Sequence, residues 1–199
     1  MKRTATLCLL ALLMSGGSAL ARGDVNFGAN VHAGDDASLF AAIASRCFDR
    51  EPRVLEDLQR RCYPDPDDLA VALFLASQSN LDPASFAGLR KQGLGWFEIS
   101  KRSRIAVDVF FLSPERDPGP PYGNAYGHWR KYRRDHRHVM VLSDDDIRHL
   151  VGARMIHEYF DVPLVTAMEW RAAARDVQAA MIREYRQRHG GGSRAPQAD

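Results

Sequence analysis

The sequence predicts an all-α protein made of three helical hairpins of about 30 residues each, packed as a small repeat-like domain with one long irregular basic loop. Apolar residues recur at helical spacing, and a proline stands at the first position of the second helix of each pair. The pairs also share their spacing: Asp36 to Pro52 and Asp67 to Pro83 are sixteen residues apart, and Asp145 to Pro163 eighteen. Stacked pairs are typical of repeat proteins. Chance likeness among amphipathic hairpins is the alternative.

Residues 1–21 have the pattern of a secretory signal peptide. Lys2 and Arg3 precede a short apolar stretch, and Ala19 and Ala21 form a small-residue cleavage site before Arg22. We therefore expect a periplasmic or secreted protein with no transmembrane helix after signal cleavage. The whole chain has 27 basic and 25 acidic residues, so removal of Lys2 and Arg3 leaves 25 of each. Nucleic acid is therefore an unlikely partner.

Beyond the signal we expect a flexible segment over 22–34, a single helical domain over 35–189 with loop 114–141 inserted, and a disordered tail over 190–199.

The first pair contains the two cysteines outside the signal, Cys47 and Cys62. An exported chain with an even number of cysteines favours a disulfide. A bridge across this loop would contribute roughly 3 kcal/mol. Reactive thiols are the alternative, although no C-x-x-C motif is present.

The second pair begins with Asp65 as the expected N-cap and Pro66 at the first helical position. Its first helix carries an apolar stripe of Leu69, Leu73 and Ala76, widened by Phe74. Asp82 and Pro83 repeat the same helix start, and Gly93 and Gly95 end the second helix. Trp96 then begins a third short helix and should serve as a core anchor.

Residues 114–141 form the long insert without helical periodicity. Prolines and glycines predict no continuous helix from Pro118 to Gly127. A long loop in a compact domain is more often functional than accidental. The candidate binding residues combine aromatic rings with cations: Tyr122, Tyr126, Trp129, Arg130, Lys131, Arg133, Arg134 and Arg137.

The expected partner is an anionic envelope component, such as a lipid head group or a polyanion, or an acidic protein surface. Two structural alternatives remain. Tyr126 and Trp129 would pin the loop to the helices, or the basic block would brace the acidic helix starts near Asp67 and Asp145.

Three histidines in this insert offer an alternative metal site: His128, His136 and His138. Five basic residues beside them would repel a cation, so the main expectation is no metal and no cofactor. Asp144 to Asp146 lack the spacing of a calcium loop and suit a helix N-terminus instead.

The third pair begins at Ser143, with Asp146 as its reciprocal capping partner. After Pro163 we expect the chain to stay helical to about Arg188.

Two segments resemble known patterns. The stretch from Gly93 to Phe111 resembles a DNA-binding helix-turn-helix, with Glu98, Ile99 and Ile105 at the matching positions. An L-R-x-x-G-x-G-W-x-E-I motif from Leu89 and a P-P-Y-G-x-A-Y-G motif from Pro120 resemble exported bacterial proteins of unknown function. That second resemblance implies export and an all-helical fold, without an activity.

No catalytic constellation is present in the sequence. His157 and Glu158 do not form an H-E-x-x-H zinc motif because residue 161 is Asp161. A G-x-S-x-G elbow, a Walker loop and a G-x-G-x-x-G fingerprint are also absent. We therefore expect a non-enzymatic interaction or structural protein of the cell envelope; the alternative is a periplasmic metal-binding accessory protein.

Overall fold

Every regular element in the described part of the chain is helical, which confirms the all-α prediction. The computed structural model describes residues 36–135 and 137–189. The predicted signal peptide, the 22–34 segment, the 190–199 tail and His136 lie outside the described residues. The helices are α1 (Asp36–Phe48), α2 (Pro52–Arg61), α3 (Pro66–Ser77), α4 (Pro83–Lys91), α5 (Trp96–Arg102), a 3-10 helix (Val107–Phe110), α6 (Gly123–Arg134), α7 (Asp144–Phe160), α8 (Leu164–Ala172) and α9 (Val177–His189).

Helix α3 lies in the middle of the core. The eight consecutive residues 69–76 are all apolar and all buried. The predicted stripe of Leu69, Leu73 and Ala76 is therefore only part of a helix that is apolar on every side, as expected for a helix surrounded by others. Helix α3 packs against α1, α4, α7 and α9, and α7 also packs against α8.

The helix starts follow from local capping chemistry. The Asp65 carboxylate accepts the backbone N–H of Asp67 at 2.9 Å, and the Asp82 carboxylate accepts that of Ala84 at 2.7 Å. Ser143 and Asp146 form the predicted capping box at the start of α7. A carboxylate or hydroxyl in this position satisfies an N–H group that the helix itself leaves unpaired.

The insert is not the long irregular loop that the sequence predicts. Residues 123–134 form α6, so the segment predicted as an irregular loop contains a helix, although no continuous helix runs from Pro118 to Gly127. The prolines at 120 and 121 precede the helix and do not interrupt it. Ala125, Tyr126 and Trp129 share one buried face of α6, which stabilises the helix by packing against the core.

The last helical stretch is interrupted. The sequence predicts a helical chain from Pro163 to about Arg188, whereas α8 ends at Ala172 and α9 begins at Val177. The break directs the backbone N–H of Val177 to the Asp67 carboxylate at 3.0 Å. The Asp176 carboxylate accepts the N–H of Ala179 at 2.7 Å and caps the new helix.

The predicted disulfide between Cys47 and Cys62 is wrong, because both thiols are free. Cys47 lies near the end of α1, beside the short turn that leads into α2, whereas Cys62 follows the last residue of α2. The ten residues of α2 span about 15 Å, and a disulfide needs Cα atoms within about 7 Å. Burial raises the pKa of the Cys47 thiol to about 12, so this thiol is not activated.

The helix-turn-helix resemblance does not extend to the fold. Helix α5 is followed by Arg104 with φ of 58° and then by only the four-residue 3-10 helix. Four residues span about 8 Å, too short to present a recognition helix to the major groove. Ile105 and Phe110 in this segment are buried in the core.

Candidate functional site

Helix α6 carries the predicted binding block, and its inner face is anchored by Trp129. The Trp129 ring stacks on Phe111 with centroids 4.8 Å apart and an interplanar angle of 5°. Its Nε1–H donates to the Asp108 carboxylate at 2.7 Å. The only polar atom of this side chain therefore has a partner while the ring is buried.

Two tyrosines extend this anchor. The hydroxyl of Tyr126 donates to the carbonyl of Leu112 at 2.9 Å, and that of Tyr122 donates to the carbonyl of Met168 at 3.2 Å. Burial raises the pKa of Tyr126 to about 12 and raises the pKa of Tyr122 further. Both side chains are buried, as is Trp129, so the prediction that these three aromatic residues contact a partner is corrected: they attach α6 to the core.

The five cations of the block are exposed: Arg130, Lys131, Arg133, Arg134 and Arg137. We call this set the basic surface. Arg130 forms an ion pair with Asp117 at 2.5 Å, and the Arg133 guanidinium lies 5.2 Å from the centre of the Trp129 ring. Within residues 36–135 and 137–189, no carboxylate lies within 4 Å of the other four cationic groups. The basic surface therefore carries largely uncompensated positive charge.

The alternative that this block braces the acidic helix starts is wrong. Asp67 pairs with Arg171 at 2.6 Å, and Asp145 pairs with Arg148 at 3.1 Å. Both arginines lie outside the insert, on α8 and α7. Asp67 and Asp145 therefore have partners other than the cations of the basic surface.

Two of the three candidate metal-ligating histidines lie side by side. Nδ1 of His128 and Nε2 of His138 are 3.5 Å apart, and the two rings are inclined by 15°. The structure does not describe His136. Over the residues it does describe, no group of three or more histidine, cysteine or acidic side chains is arranged to hold a metal.

The L-R-x-x-G-x-G-W-x-E-I motif builds a structural clamp between α3, α4, α5 and α7. Arg90 donates to the Asp144 carboxylate at 2.5 Å and to the carbonyl of Leu94 at 2.9 Å. Trp96 donates through its backbone N–H to Asp144 and through Nε1–H to Asp68, both at 2.7 Å. Trp96 is 0 % exposed, which confirms it as a core anchor.

Two positions of the clamp, Gly93 and Gly95, require glycine for different structural reasons. Gly93 has φ of 85°, a conformation that residues with a Cβ rarely adopt. A Cβ at Gly95 would lie 3.1 Å from the Asp144 carboxylate oxygen that accepts the Trp96 N–H. Asp144 therefore serves this clamp.

A buried ion pair that sequence reasoning missed lies between α3 and α8. The side chains of Asp67 and Arg171 are 7 % and 3 % exposed. Burial raises the pKa of Asp67, because desolvation outweighs the attraction of Arg171 and the hydrogen bond from Val177. A Cβ at Gly152 would lie 2.9 Å from the Arg171 side chain, so a glycine in the middle of α7 makes room for this arginine.

An open cavity of about 530 Å³ lies at the exposed edge of this pair. Its acidic residues all have arginine partners: Asp65 and Asp145 with Arg148, Asp67 with Arg171, and Asp176 with Arg175. Ion-pair networks of this kind occur for purely structural reasons as well as at functional sites. The cavity thus has the chemistry of a stabilising network.

Across the two described stretches, none of the helices combines the length and the apolar character needed to cross a bilayer. No protein-family model, no curated protein and no solved structure matches this chain.

Proposed function

We propose that this chain is an exported, non-enzymatic interaction or structural protein of the cell envelope, and that it binds an anionic partner through the basic surface. The observation that supports the proposal is the set of exposed cations on α6 and the residues after it, four of which lack a carboxylate within 4 Å in the described fold. Arginine favours such a role because its planar guanidinium forms paired hydrogen bonds with phosphate or carboxylate.

Helix stability alone does not account for these residues. Cations in the last turn interact favourably with the helix dipole by about 0.3–1 kcal/mol each at exposed positions. Lys131, Arg133 and Arg134 all stand in the last turn of α6, where their mutual repulsion opposes that gain. Arg137 follows the helix and lies outside its last turn. An anionic partner would relieve the repulsion among all of them.

The charge hypothesis predicts a large loss of binding without a loss of fold. We expect Lys131→Ser with Arg134→Ser to abolish most capture of the protein by envelope extract and to change the free energy of unfolding by about 0.5 kcal/mol per site or less. Capture by the wild type should weaken as salt rises, because exposed charges beyond about 8–10 Å are screened at physiological salt. A pull-down with a salt series measures both effects.

Lys101→Ser with Arg102→Ser is the matched control. These are also two neighbouring exposed cations in the last turn of a helix, but they belong to α5. Equal loss of capture in both double variants would mean that overall charge, and not the basic surface, attracts the partner. Full capture of the α6 variant would contradict the proposal.

The proposal of export is supported by the basic start, the apolar stretch and the A-x-A cleavage site within residues 1–21. Mass spectrometry of protein recovered from the envelope should give a chain that starts near Arg22. An intact N-terminus in the cytoplasmic fraction would refute it.

We also propose that α1–α2, α3–α4 and α7–α8 are copies of one helical hairpin. The two helices of each pair pack against each other. The distance in sequence from the opening aspartate to the proline of the second helix is sixteen, sixteen and eighteen residues. Unrelated crossing angles in the three pairs would argue against common repeats.

A second candidate function, a metal-binding accessory protein, is favoured by the histidine pair. Two nitrogens bound to one tetrahedral zinc at 2.0–2.1 Å lie about 3.3–3.4 Å apart, close to the 3.5 Å between His128 and His138. We expect calorimetry with zinc or copper to show a micromolar or tighter site that His138→Ala removes and the distant control His189→Ala retains. Identical titrations of wild type and His138→Ala would eliminate this candidate.

A further inference from the structure

We propose that the anionic partner of the basic surface is a lipid bilayer with acidic head groups, an inference that rests on the function proposed above. The structural reason is an apolar pair that lies directly after the basic surface in the chain. Val139 is 79 % exposed and Val141 is 66 % exposed. We call these two residues the valine pair.

The valine pair is exposed by the path of the backbone. Met140 and Leu142 alternate with the two valines and are buried in the core, so the segment turns one face inward and the other outward. In the described residues, the large apolar side chains that are markedly exposed are Val54, Leu81, Val139 and Val141. Half of them therefore lie within three consecutive positions beside the basic surface.

The valine pair directly follows part of the basic surface in the chain. His138 immediately precedes Val139, and its ring lies against His128 on α6 with the two nitrogens 3.5 Å apart. Arg137, itself part of the basic surface, is two residues before Val139. Residues 137–141 thus carry apolar and cationic side chains on a segment attached to the side of α6.

The combination of exposed cations with exposed apolar side chains favours one class of anionic partner over another. A soluble polyanion such as an acidic polysaccharide attracts cations but offers no apolar environment for exposed valines. A bilayer offers both, because head-group phosphates lie above an acyl boundary in which small apolar side chains are favourable. Arginine and lysine stems are long enough to leave their charged ends at the phosphates while the valines go deeper.

The cations and the valine pair are each expected to strengthen membrane binding, and the two effects can be measured separately. Each cation near an acidic membrane surface strengthens binding by roughly fivefold. Loss of both valine side chains from the acyl boundary should weaken binding by roughly tenfold. Charge should also make binding sensitive to salt, whereas the valine contribution should persist at high salt.

Vesicle sedimentation provides the test. The purified full chain is mixed with vesicles of phosphatidylcholine containing about one third phosphatidylglycerol, and with vesicles of phosphatidylcholine alone. All variants keep the same N-terminus, so any contribution from residues 1–21 is common to them. We expect binding to the acidic vesicles only. Val139→Ser with Val141→Ser should weaken it about tenfold, and Lys131→Ser with Arg134→Ser about 25-fold.

The matched control is Val54→Ser with Leu81→Ser, which removes the other two markedly exposed large apolar side chains of the described residues and should leave vesicle binding unchanged. Equal losses in both apolar variants would overturn the assignment of the valine pair. Circular dichroism and thermal unfolding of each variant establish that it is folded.

The outcomes separate the lipid inference from the function proposed above. If acidic vesicles do not bind the chain, but capture by envelope extract still requires Lys131 and Arg134, the lipid assignment is wrong and the anionic partner is a protein or a polysaccharide. If the charge variant loses vesicle binding while the valine variant retains it fully, the contact is purely ionic and the insertion of valines is wrong. If neither vesicles nor extract distinguish the charge variant from wild type, both proposals fail.

Discussion

Replacement of Asp67 by alanine is expected to lower the free energy of unfolding by about 3–5 kcal/mol. The change leaves the buried Arg171 guanidinium without its carboxylate partner, so that its remaining acceptor is the carbonyl of Ala174. It also removes the acceptor of the Val177 N–H at the start of α9. Unpaired buried charges and N–H groups are among the few causes of losses this large. Urea unfolding of the two proteins, followed by circular dichroism, measures the difference.

The double variant Asp67→Ala with Arg171→Met is the informative control. It removes the unpaired positive charge of Arg171 and places an unbranched apolar side chain in the space beside Gly152. We expect it to be more stable than Asp67→Ala alone, because replacing a whole buried pair costs far less than breaking it. Additive losses would mean that the two residues do not act as a pair.

The same carboxyl makes stability depend on pH. Burial raises the pKa of Asp67 in the folded protein above its unfolded value of about 3.9. The pH-dependent part of the stability that this group contributes is therefore fully present below that unfolded pKa and is lost as pH rises through the folded pKa. We expect the difference between wild type and Asp67→Ala to be larger near pH 4 than at pH 7. A smaller difference near pH 4 would mean that the folded pKa is lowered.

Replacement of Trp96 by alanine should cost about 3–5 kcal/mol, as expected for the loss of a fully buried tryptophan. It empties the centre of the clamp, where Arg90 lies 4.8 Å from the ring centre, and leaves Asp68 without the Nε1–H donor. Denaturant unfolding again provides the measurement.

Two further variants test the reason for that loss. Trp96→Phe keeps an aromatic ring and loses the donor to Asp68, so we expect a cost of about 1–3 kcal/mol. Asp68 also accepts from Arg148 at 2.8 Å, which favours the lower end of that range. Trp170, which is only partly buried, should tolerate alanine better than Trp96 does. If Trp96→Ala and Trp170→Ala cost the same, the clamp contributes no more than surface packing.

Much of the local structure could be predicted from the sequence because its causes are local. A capping carboxylate such as Asp65 or Asp82 accepts the N–H group two residues later. The helix starts can therefore be predicted from a few consecutive residues. Trp96 could be assigned to the core because it stands at a periodic apolar position. The exposed cations of the candidate site were also readable, since arginine and lysine are rarely buried.

The aromatic half of the candidate site could not be predicted in the same way. Trp129 is buried because it meets Phe111 and Asp108, which lie about twenty residues earlier in the chain. Tyr122 reaches the carbonyl of Met168, 46 residues later. Contacts at such separations leave no periodic signal in one short window. For the same reason, a segment that looks like an aromatic binding loop is a helix with its rings in the core.

The sequence by itself determined the helical class, the helix starts and the positive charge of the α6 segment, because backbone capping, side-chain periodicity and formal charge are properties of short stretches. Only the tertiary structure decided which charges are paired. Asp67 looks like an ordinary first-turn acid, yet it is a buried partner of Arg171, 104 residues away. The cations of the basic surface look equally ordinary. Among the described residues, however, the fold provides carboxylates for Arg90, Arg148 and Arg171, whereas Asp117 beside Arg130 is the one carboxylate within 4 Å of the basic surface. Pairing depends on which distant side chains the packing of the helices brings within a few ångströms, and that distance is a property of the whole fold.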